Sequence, residues 1–342
     1  MPNIMLTYSC NLKCPYCFAN EFVNKESSRI SIENFAKAIS FLTKEDIARV
    51  GLIGGEPTLH PEFKTILEML ITNRRISEVT LYTNGLQVDR YIEQLVTPKF
   101  RLLVNCNSPK DIGERNFEKL TNNLETLVNH YYMRDRINLG INLYDDNLDY
   151  SYIVDLLKMC GLHRVRISLT VPDFGACGDV DAIDFFMGRK KYLLNFLSDM
   201  RDNDILPYYD CNKPPYCIWT NDEKKWLNDI VRHFNVESNL VGDHSFCYPV
   251  LDILPDLQVV RCLGMSDFEK VNLEDFSGVS EIASYFLNSV DAASYLIPSS
   301  SECIACKKRQ TRKCTAGCIG FKSKSVSKLT EYAKKMQNQE GI

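Results

Sequence analysis

Three cysteines stand close together near the start of the chain, and their spacing suits iron–sulfur chemistry. Cys10, Cys14 and Cys17 form a C-x3-C-x2-C pattern directly after residues 2–8, which predict a first β-strand. Iron–sulfur clusters are held by cysteine thiolates, and one tight loop offers three of them here. Three ligands rather than four leave one iron of such a cluster without a protein ligand, and therefore open to another molecule.

Two short segments end the next two predicted strands and could approach a ligand. Gly54-Gly55-Glu56-Pro57 follows the second strand, where glycine lets the backbone come close to a ligand. Glu56 can accept a hydrogen bond from an ammonium group. Thr83-Asn84-Gly85 follows the third strand. Taken alone, the first segment is interpreted as an ordinary turn, and an Asn-Gly turn explains the second segment nearly as well as a cofactor contact does.

The cysteine triplet with an aromatic residue before its last cysteine, followed one strand–helix unit later by Gly-Gly-Glu-Pro, closely resembles the radical S-adenosylmethionine (radical SAM) superfamily. This resemblance implies two cofactors, SAM and a [4Fe–4S] cluster held by three cysteines. It also implies that the methionine amino group of SAM lies at the glycine segment and the adenine near the aromatic residue. The positions of this sequence that match these cofactor contacts are Tyr16, Gly54, Gly55, Glu56, Thr83 and Asn84.

The end of the fourth predicted strand departs from the family pattern. Many relatives carry Ser-x-Asp-Gly there, whereas this chain has Asn105-Cys106-Asn107-Ser108. Asn105 could replace the serine that contacts the SAM carboxylate. Cys106 is either a small buried hydrophobic residue, as most free cysteines are, or a catalytic thiol that gives hydrogen to a substrate radical. Asn142, near the end of the fifth strand, is a further candidate cofactor contact.

Strand and helix patterns alternate over the first two hundred residues. Six strand segments are predicted, and each connection between them is long enough for a helix, which indicates a parallel sheet. Right-handed crossovers would curl these strands into an open barrel with its chemistry at their carboxyl ends. The sequence therefore predicts an α/β fold, a partial (β/α)6 TIM-like barrel over residues 1–204. The predicted strands are residues 2–8, 49–53, 79–82, 101–106, 137–144 and 164–171.

A smaller cysteine-rich domain is expected over residues 205–320. Its pattern Cys-x14-Cys, with a hairpin between the two, followed by Cys-x2-Cys-x7-Cys-x3-Cys, resembles the SPASM and twitch extensions of radical SAM enzymes. The resemblance implies one or two auxiliary [4Fe–4S] clusters there. The candidate ligands are Cys211, Cys217, Cys247, Cys262, Cys303, Cys306, Cys314 and Cys318.

The auxiliary pattern also departs from SPASM, which leaves its metal open. SPASM has a glycine where Leu257 stands, and it has five residues where this chain has seven between Cys306 and Cys314. It also has a final cysteine downstream that this sequence does not supply. Cys211 and Cys217 could compensate from upstream. Spacing alone suits a structural zinc site equally well, because paired C-x2-C and C-x3-C motifs fit tetrahedral zinc. The family resemblance favours iron–sulfur clusters.

A basic helix or tail is expected over residues 321–342. Between Cys303 and Gln337 there are ten Lys or Arg residues and one acid, Glu331. A solvated basic helix face explains this excess, and docking of an acidic peptide or protein is the alternative.

Composition limits the class of protein. The chain has 342 residues, 45% of them hydrophobic, and a net charge of −4, which favours neither bulk nucleic-acid binding nor a membrane surface. No signal peptide or membrane-spanning run stands in the sequence. Fourteen cysteines without an export signal are typical of metal ligands and buried thiols in the cytoplasm, where disulfides are disfavoured.

The resemblance implies reductive cleavage of SAM to a 5′-deoxyadenosyl radical, which abstracts hydrogen from a substrate. An electron donor such as flavodoxin or ferredoxin is then a partner. SPASM-type relatives commonly modify peptides, so oxidation or crosslinking of a ribosomal peptide is the favoured interpretation. The chain opens at the first barrel strand, so peptide recognition would need the tail, the loop around Cys177 or a separate protein.

Two alternatives stay open at this point. The first is a small-molecule enzyme, such as a dehydrogenase or epimerase acting on a sugar or amino acid, for which one auxiliary cluster suffices. The second is a non-catalytic metal-binding scaffold that keeps the barrel and has lost the chemistry. The intact cysteine triplet and the Gly54–Glu56 segment argue against the scaffold.

Overall fold

The computed structural model describes residues 1–17, 28–171, 178–234, 240, 247–266 and 268–339, with side chains as far as residue 331. The loop around Cys177 lies outside these residues. The chain divides into two compact units. The first unit comprises Met1–Asn142, Leu148–Val165 and Val250–Ala283, and the second comprises Leu143–Asn147, Arg166–Pro249 and Ser284–Ile342.

The six predicted β/α repeats are present in the part of the chain that the structure describes. Each strand overlaps its predicted segment, and the second coincides with it from Arg49 to Ile53. The six strands are β1 (Asn3–Met5), β2 (Arg49–Ile53), β3 (Glu78–Thr83), β4 (Phe100–Asn105), β5 (Ile137–Leu143) and β6 (Arg164–Leu169).

Amphipathic helices follow these strands. Ser31 caps the first helix, because its side chain accepts a hydrogen bond from the Asn34 backbone N–H at 3.1 Å, and the buried face carries Phe35, Ile39 and Leu42. The helices between strands are α1 (Ile32–Lys44), α2 (Phe63–Thr72), α3 (Ile92–Leu95), α4 (Pro109–Ile112), α5 (Glu114–Glu125) and α6 (Ser151–Cys160).

Parallel pairing in chain order builds the sheet of the first unit. β1 pairs with β2, β2 with β3, β3 with β4 and β4 with β5, all in parallel. The strand order is linear rather than circular, so the sheet is open. The α/β class and the partial barrel are therefore confirmed, and the carboxyl ends of the strands meet at one edge.

A hairpin from much later in the chain completes the other side of β1. β8 (Asp252–Ile253) and β9 (Gln258–Val260) are antiparallel, as expected for the hairpin around Pro255. β10 (Lys270–Asn272) extends the hairpin. The sequence did not predict that β8 would pair with β1, in parallel, with Asn3 opposite Asp252. Met5, Tyr8 and Ile53 then share one buried cluster with the hairpin residues Leu254 and Val260 and with Leu263, which follows the hairpin.

Asp252 ties this hairpin to β1 through a buried carboxylate. One oxygen accepts from the Asn3 side chain at 2.7 Å and the other from the Leu263 N–H at 2.7 Å. Burial raises the pKa of Asp252 from 3.8 to about 6, although both hydrogen bonds oppose the shift. The carboxyl is therefore protonated more readily in the folded chain than in the unfolded chain.

We expect this shift to make part of the stability pH-dependent. The folded state binds the extra proton between pH 4 and 6, so the contribution of Asp252 is favourable below its unfolded pKa and is lost as pH rises through about 6. A shift of roughly 2 units corresponds to about 3 kcal/mol. Urea unfolding measured from pH 4 to pH 7 should show that the unfolding free energy of wild type falls by up to about 3 kcal/mol relative to that of Asp252→Asn. The exposed Asp256 gives the control, Asp256→Asn, and a constant difference between wild type and Asp252→Asn would contradict the assignment.

The second unit consists mainly of helices and short segments. It holds most of the cysteines that follow residue 205. Its strand β7 (Leu206–Tyr209) neighbours β6. Its helices include one over Ala182–Asp202 and the predicted basic tail helix, which runs over Ser323–Gln339. The remaining helices are α7 (Ala182–Asp202), α8 (Asn221–Phe234), α9 (Val279–Phe286, which begins in the first unit), α10 (Ala292–Leu296), α11 (Lys307–Gln310) and α12 (Ser323–Gln339). Within the described ranges, no helix combines the length and the apolar character that crossing a bilayer requires.

Candidate active site

The cysteine loop, Cys10–Cys17, leaves β1 at the carboxyl edge of the sheet. All three cysteines are partly buried and unbridged. The Cys17 N–H donates to the Cys14 carbonyl at 3.1 Å, which closes a tight turn, and the Leu12 N–H approaches the Cys10 sulfur at 3.5 Å. Hydrogen bonds from backbone N–H groups to sulfur are a feature of protein iron–sulfur sites.

The three sulfurs lie close enough to influence one another. Burial raises the pKa of Cys14 to about 12, and the thiols of Cys10 and Cys17 add to this shift. Burial also raises the pKa of Cys10, with smaller contributions from Glu56 and Cys17. Because thiolates are the metal-binding form, iron that binds here must displace protons from these thiols.

The glycine pair, Gly54 and Gly55, packs directly against the chain that enters the cysteine loop. The Gly55 N–H donates to the Thr7 carbonyl and the Glu56 N–H donates to the Ser9 carbonyl, both at 2.8 Å. A Cβ on Gly55 would lie 2.4 Å from the Ser9 carbonyl oxygen, and one on Gly54 would lie 2.7 Å from the Thr7 carbonyl oxygen. Glycine is therefore required at both positions for close backbone contact with the cysteine loop, in addition to any contact with a cofactor.

The carboxylate of Glu56 is enclosed and joins the ends of β2 and β3. One of its oxygens accepts from the Thr58 N–H at 3.2 Å, the Thr58 hydroxyl at 2.7 Å and the Thr83 hydroxyl at 2.8 Å. The other accepts from the Asn84 N–H at 2.8 Å. Only 1% of the residue is exposed, and burial raises the pKa of Glu56 against the effect of these hydrogen bonds. Its carboxylate is thus already bonded to the chain itself.

Asparagines hold the cysteine loop to the ends of β3 and β4. The Asn84 side chain donates to the Asn11 side-chain oxygen at 2.8 Å. The Tyr16 hydroxyl donates to the Asn107 side-chain oxygen. The structure therefore brings together the cysteine loop, Tyr16, the glycine pair, Glu56, Thr83 and Asn84. The positioning roles of Asn11 and Asn107 were not predicted from the sequence, although Asn107 stands at the end of a predicted strand.

Cys106 is buried, and its thiol lies near that of Cys160 on α6. Cys106 is 2% exposed. Burial raises the pKa of its thiol, and Cys160 at the end of α6 makes a smaller contribution in the same direction. The Tyr152 hydroxyl, also on α6, donates to the Cys106 carbonyl at 3.1 Å. The two interpretations of Cys106, as a packing residue and as a hydrogen-donating thiol, stay predictions.

Asn105 and Asn142 end two adjacent strands. Asn105 is the last residue of β4 and pairs with Gly140 of β5. Asn142 lies two residues beyond Gly140 on the same strand, and both asparagines are partly exposed. Because side chains alternate along a strand, Gly140 and Asn142 share one face of the sheet. Their cofactor contacts stay predictions.

Seven of the eight auxiliary cysteines lie in the second unit, whereas Cys262 belongs to the first. Within the second unit, the Cys211 thiol interacts with the Cys247 thiol. The Cys217 thiol interacts with those of Cys314 and Cys306. No two of the described cysteines form a disulfide.

The cysteine groups fit the donor set of a cluster. In the described ranges, no three Cys, His, Asp or Glu side chains are gathered tightly enough to hold a single metal ion. The unbridged thiols of the cysteine loop, with an N–H···S contact at Cys10, are donors of the kind that hold an iron–sulfur cluster.

Sequence comparison relates the barrel to known proteins. A model of the Radical SAM superfamily matches residues 4–152. Molybdenum cofactor biosynthesis protein moc-5 of Caenorhabditis elegans is 26% identical over 216 residues, 60% of this chain and 35% of that protein. GTP 3',8-cyclase of Mannheimia succiniciproducens is 27% identical over 158 residues, 43% of this chain and 47% of the cyclase. The chain thus spans less than half the length of these curated relatives.

Structural comparison extends over more of the chain. Streptococcus suis SuiB bound to S-adenosylmethionine matches with a TM-score of 0.57 at 16% identity, covering 93% of this chain and 72% of SuiB. SuiB bound to its precursor peptide SuiA matches with a TM-score of 0.51 at 15% identity, covering 81% and 62%. At such identities the likeness concerns the fold. With the three-cysteine loop held at the carboxyl edge of a partial barrel, residues 4–152 form a radical SAM superfamily domain.

Proposed function

We propose that this protein is a radical SAM enzyme that cleaves S-adenosylmethionine reductively and abstracts hydrogen from a peptide substrate. The observation that supports it most is the joining of the cysteine loop to the ends of β2, β3 and β4 by Glu56, Asn84 and Asn107. Such a site places cluster ligands and candidate cofactor contacts at one edge of the sheet, where parallel barrels bind their ligands.

Each residue has a definite task in this proposal. Cys10, Cys14 and Cys17 hold a [4Fe–4S] cluster, while backbone groups of the glycine pair border SAM and Tyr16 lies near its adenine. Asn105 and Asn142 contribute polar contacts from β4 and β5. When bound, the cluster and SAM together supply a 5′-deoxyadenosyl radical. The protein fixes the distance between that radical and the substrate C–H bond and excludes water.

Peptide modification is proposed because the structural likeness to SuiB covers more than the barrel. SuiB has been captured with a precursor peptide, and its fold matches 81% of this chain in that complex. The auxiliary cysteines of the second unit fit one or two further [4Fe–4S] clusters, in the expected domain 205–320. Oxidation or crosslinking of a ribosomal peptide would use them to accept an electron. The same proposal includes recognition of the peptide, either by a separate protein or by the basic tail, residues 321–342.

A small molecule is the second candidate substrate, and the sequence relatives favour it. The GTP 3',8-cyclase of Mannheimia succiniciproducens acts on GTP by its name, and it aligns with 43% of this chain. A nucleotide, sugar or amino acid would then replace the peptide. Flavodoxin or ferredoxin serves as electron donor in either case, and the cysteine content is typical of a cytoplasmic enzyme.

Cleavage of SAM tests the proposal directly. Anaerobically reconstituted protein, reduced with dithionite and given SAM, should release 5′-deoxyadenosine, whereas the Cys10→Ala/Cys14→Ala/Cys17→Ala variant should release none. Cys160→Ser, at a buried cysteine of α6, is the matched control and should keep wild-type cleavage. A wild-type protein that binds iron and leaves SAM intact would contradict the function and favour the scaffold alternative.

Stimulation of cleavage distinguishes the two substrate classes. Precursor peptides encoded beside this protein should increase 5′-deoxyadenosine release and gain or lose mass by a defined chemical change. GTP should leave the rate unchanged. The reverse result, with GTP stimulating and the peptides inert, would replace the peptide by the nucleotide.

A further inference from the structure

A buried histidine joins the segment that follows the glycine pair to a distant part of the chain. His60 stands directly after the 3-10 turn Pro57–Leu59 and ahead of α2, and only 1% of it is exposed. Its Nε2 lies 2.8 Å from the Ile30 carbonyl oxygen. Its Nδ1 lies 3.1 Å from the backbone nitrogen of Glu62. One ring nitrogen therefore contacts a residue 30 positions earlier, and the other contacts only the local turn.

The two partners determine which ring nitrogen carries the hydrogen. A carbonyl oxygen only accepts hydrogen bonds, so Nε2 of His60 must donate to Ile30. A backbone N–H only donates, so Nδ1 must accept from Glu62 and carry no hydrogen. Burial lowers the pKa of His60 below its ordinary value of 6.5, and the neutral ring is the form that makes both contacts at once.

Ile30 lies in a segment that pairs with the chain entering the cysteine loop. That segment is the first described part of the chain beyond the loop. The Tyr8 N–H donates to the Ser28 carbonyl at 3.1 Å, and the Ile30 N–H donates to the Leu6 carbonyl at 2.9 Å. An antiparallel bridge lies between these two bonds. The entering and leaving chains thus form a short closing ladder at the base of the cysteine loop, residues 6–8 with residues 28–30.

The segment from Gly55 to His60 holds both chains of the closing ladder. The Gly55 N–H donates to the Thr7 carbonyl on the entering chain at 2.8 Å, and His60 donates to the Ile30 carbonyl on the leaving chain. Ile30 is fully buried, so its carbonyl oxygen needs a donor from the protein, and a buried polar group that loses its partner is destabilising. Removal of the His60 ring would therefore loosen the leaving chain, while the entering chain would keep its own contact.

We propose that His60 is a positioning residue of the cysteine loop, with its Nε2–H fixing the leaving chain so that Cys10, Cys14 and Cys17 keep the arrangement that a cluster needs. It acts through Ile30 and the closing ladder and is neither a ligand nor a catalytic residue. The contact belongs to the protein alone, whereas its effect on SAM chemistry rests on the proposed function. The competing explanation is that His60 serves only the local turn into α2, through Nδ1.

Two substitutions separate the two ends of the ring. In His60→Gln, the side-chain amide nitrogen can take the place of Nε2 and donate to Ile30, but nothing replaces Nδ1. In His60→Asn, the side-chain oxygen can take the place of Nδ1 and accept from Glu62, but nothing replaces Nε2. A positioning role predicts that glutamine preserves the closing ladder and that asparagine loosens it. A role in the local turn alone predicts the reverse order.

Hydrogen exchange in the full-length chain, followed amide by amide before and after anaerobic reconstitution, measures the closing ladder. The amides of Tyr8 and Ile30 should exchange at least about 10-fold faster in His60→Asn than in wild type, because the buried Ile30 carbonyl then lacks its donor. In His60→Gln they should stay close to wild type. The control Ile153→Val, at a buried residue of α6, should speed exchange evenly across the first unit. Equal exchange in the two His60 variants, or faster exchange in His60→Gln, would overturn the proposal.

The tautomer of His60 provides a measurement on the wild-type chain, which does not depend on whether His60→Asn folds. In protein labelled with 15N-histidine, the His60 ring should show the Nε2–H tautomer at neutral pH. Its signals are assigned by their absence from the spectrum of His60→Gln. A ring that carries its hydrogen on Nδ1 could not donate to Ile30 and would overturn the proposal.

The reduced EPR spectrum connects the contact to the cofactor site. After reconstitution, SAM should change the spectrum of wild type and of His60→Gln alike, and it should have a weaker effect in His60→Asn. An equal effect of SAM in all three proteins would overturn the positioning role. If SAM left even the wild-type spectrum unchanged, the proposed function would fail, whereas the exchange rates and the tautomer would still decide the role of His60.

Discussion

Gly55→Ala is expected to abolish SAM cleavage and to remove the iron of the first cluster. The added Cβ would lie 2.4 Å from the Ser9 carbonyl oxygen, 2.7 Å from the Ser9 carbonyl carbon and 2.8 Å from the Tyr8 carbonyl oxygen. These are backbone atoms, so no side-chain rotation can relieve the overlap. The chain must therefore move at the residue before Cys10, which displaces the cysteine loop from its position.

The measurement is the loss of iron and of 5′-deoxyadenosine release in the same reconstituted sample. A fall of at least 100-fold in cleavage rate is expected, in line with the effect of a misplacement of about 1 Å in an active site. Gly188→Ala is the control, because a Cβ there meets nothing within 4 Å and lies in α7. Its stability should rise slightly, since Ala is the better helix former by about 1 kcal/mol. Wild-type iron and cleavage in Gly55→Ala would show that the contact with Ser9 does not position the loop.

Glu56→Gln is expected to destabilise the first unit although it preserves the shape of the side chain. The carboxylate accepts four hydrogen bonds and donates none. An amide keeps one oxygen for Thr58 and Thr83 but turns an NH2 group toward the Asn84 N–H. Two donors then face each other in a buried site. A buried unpaired donor costs about 1–3 kcal/mol, so we expect a loss of roughly 2–4 kcal/mol.

Urea unfolding at neutral pH measures this loss. Glu62→Gln, at an exposed glutamate that forms no side-chain cap to α2, should stay within about 0.5 kcal/mol of wild type. The same experiment reports on the cysteine loop, because Asn84 also bonds Asn11. Equal stability of Glu56→Gln and wild type would mean that the four contacts contribute little.

The barrel could be predicted from the sequence because its pattern is local. The strand Arg49–Ile53 follows from an apolar run, and it is present at the expected residues. The carboxyl ends of parallel strands meet at one edge, so the convergence of Cys10, Glu56 and Asn84 followed from the fold. Local patterns of this kind need no information about distant contacts.

What the sequence did not predict depends on contacts between distant residues. The return of residues 250–283 to β1 has no local signature, because β8 is only two residues long. The task of Glu56 was also only partly predicted, since its donors Thr58 and Thr83 come from two different segments.

The pairing of β1 with β8 has a consequence for how this protein is made. A ribosome completes β1 at once, but the strand gains its second neighbour only after residue 253 has been synthesised. Until then β1 is an edge strand with unpaired backbone groups, a state prone to aggregation. A fragment ending at residue 204 would keep that edge permanently and should be recovered from cells mainly in insoluble form.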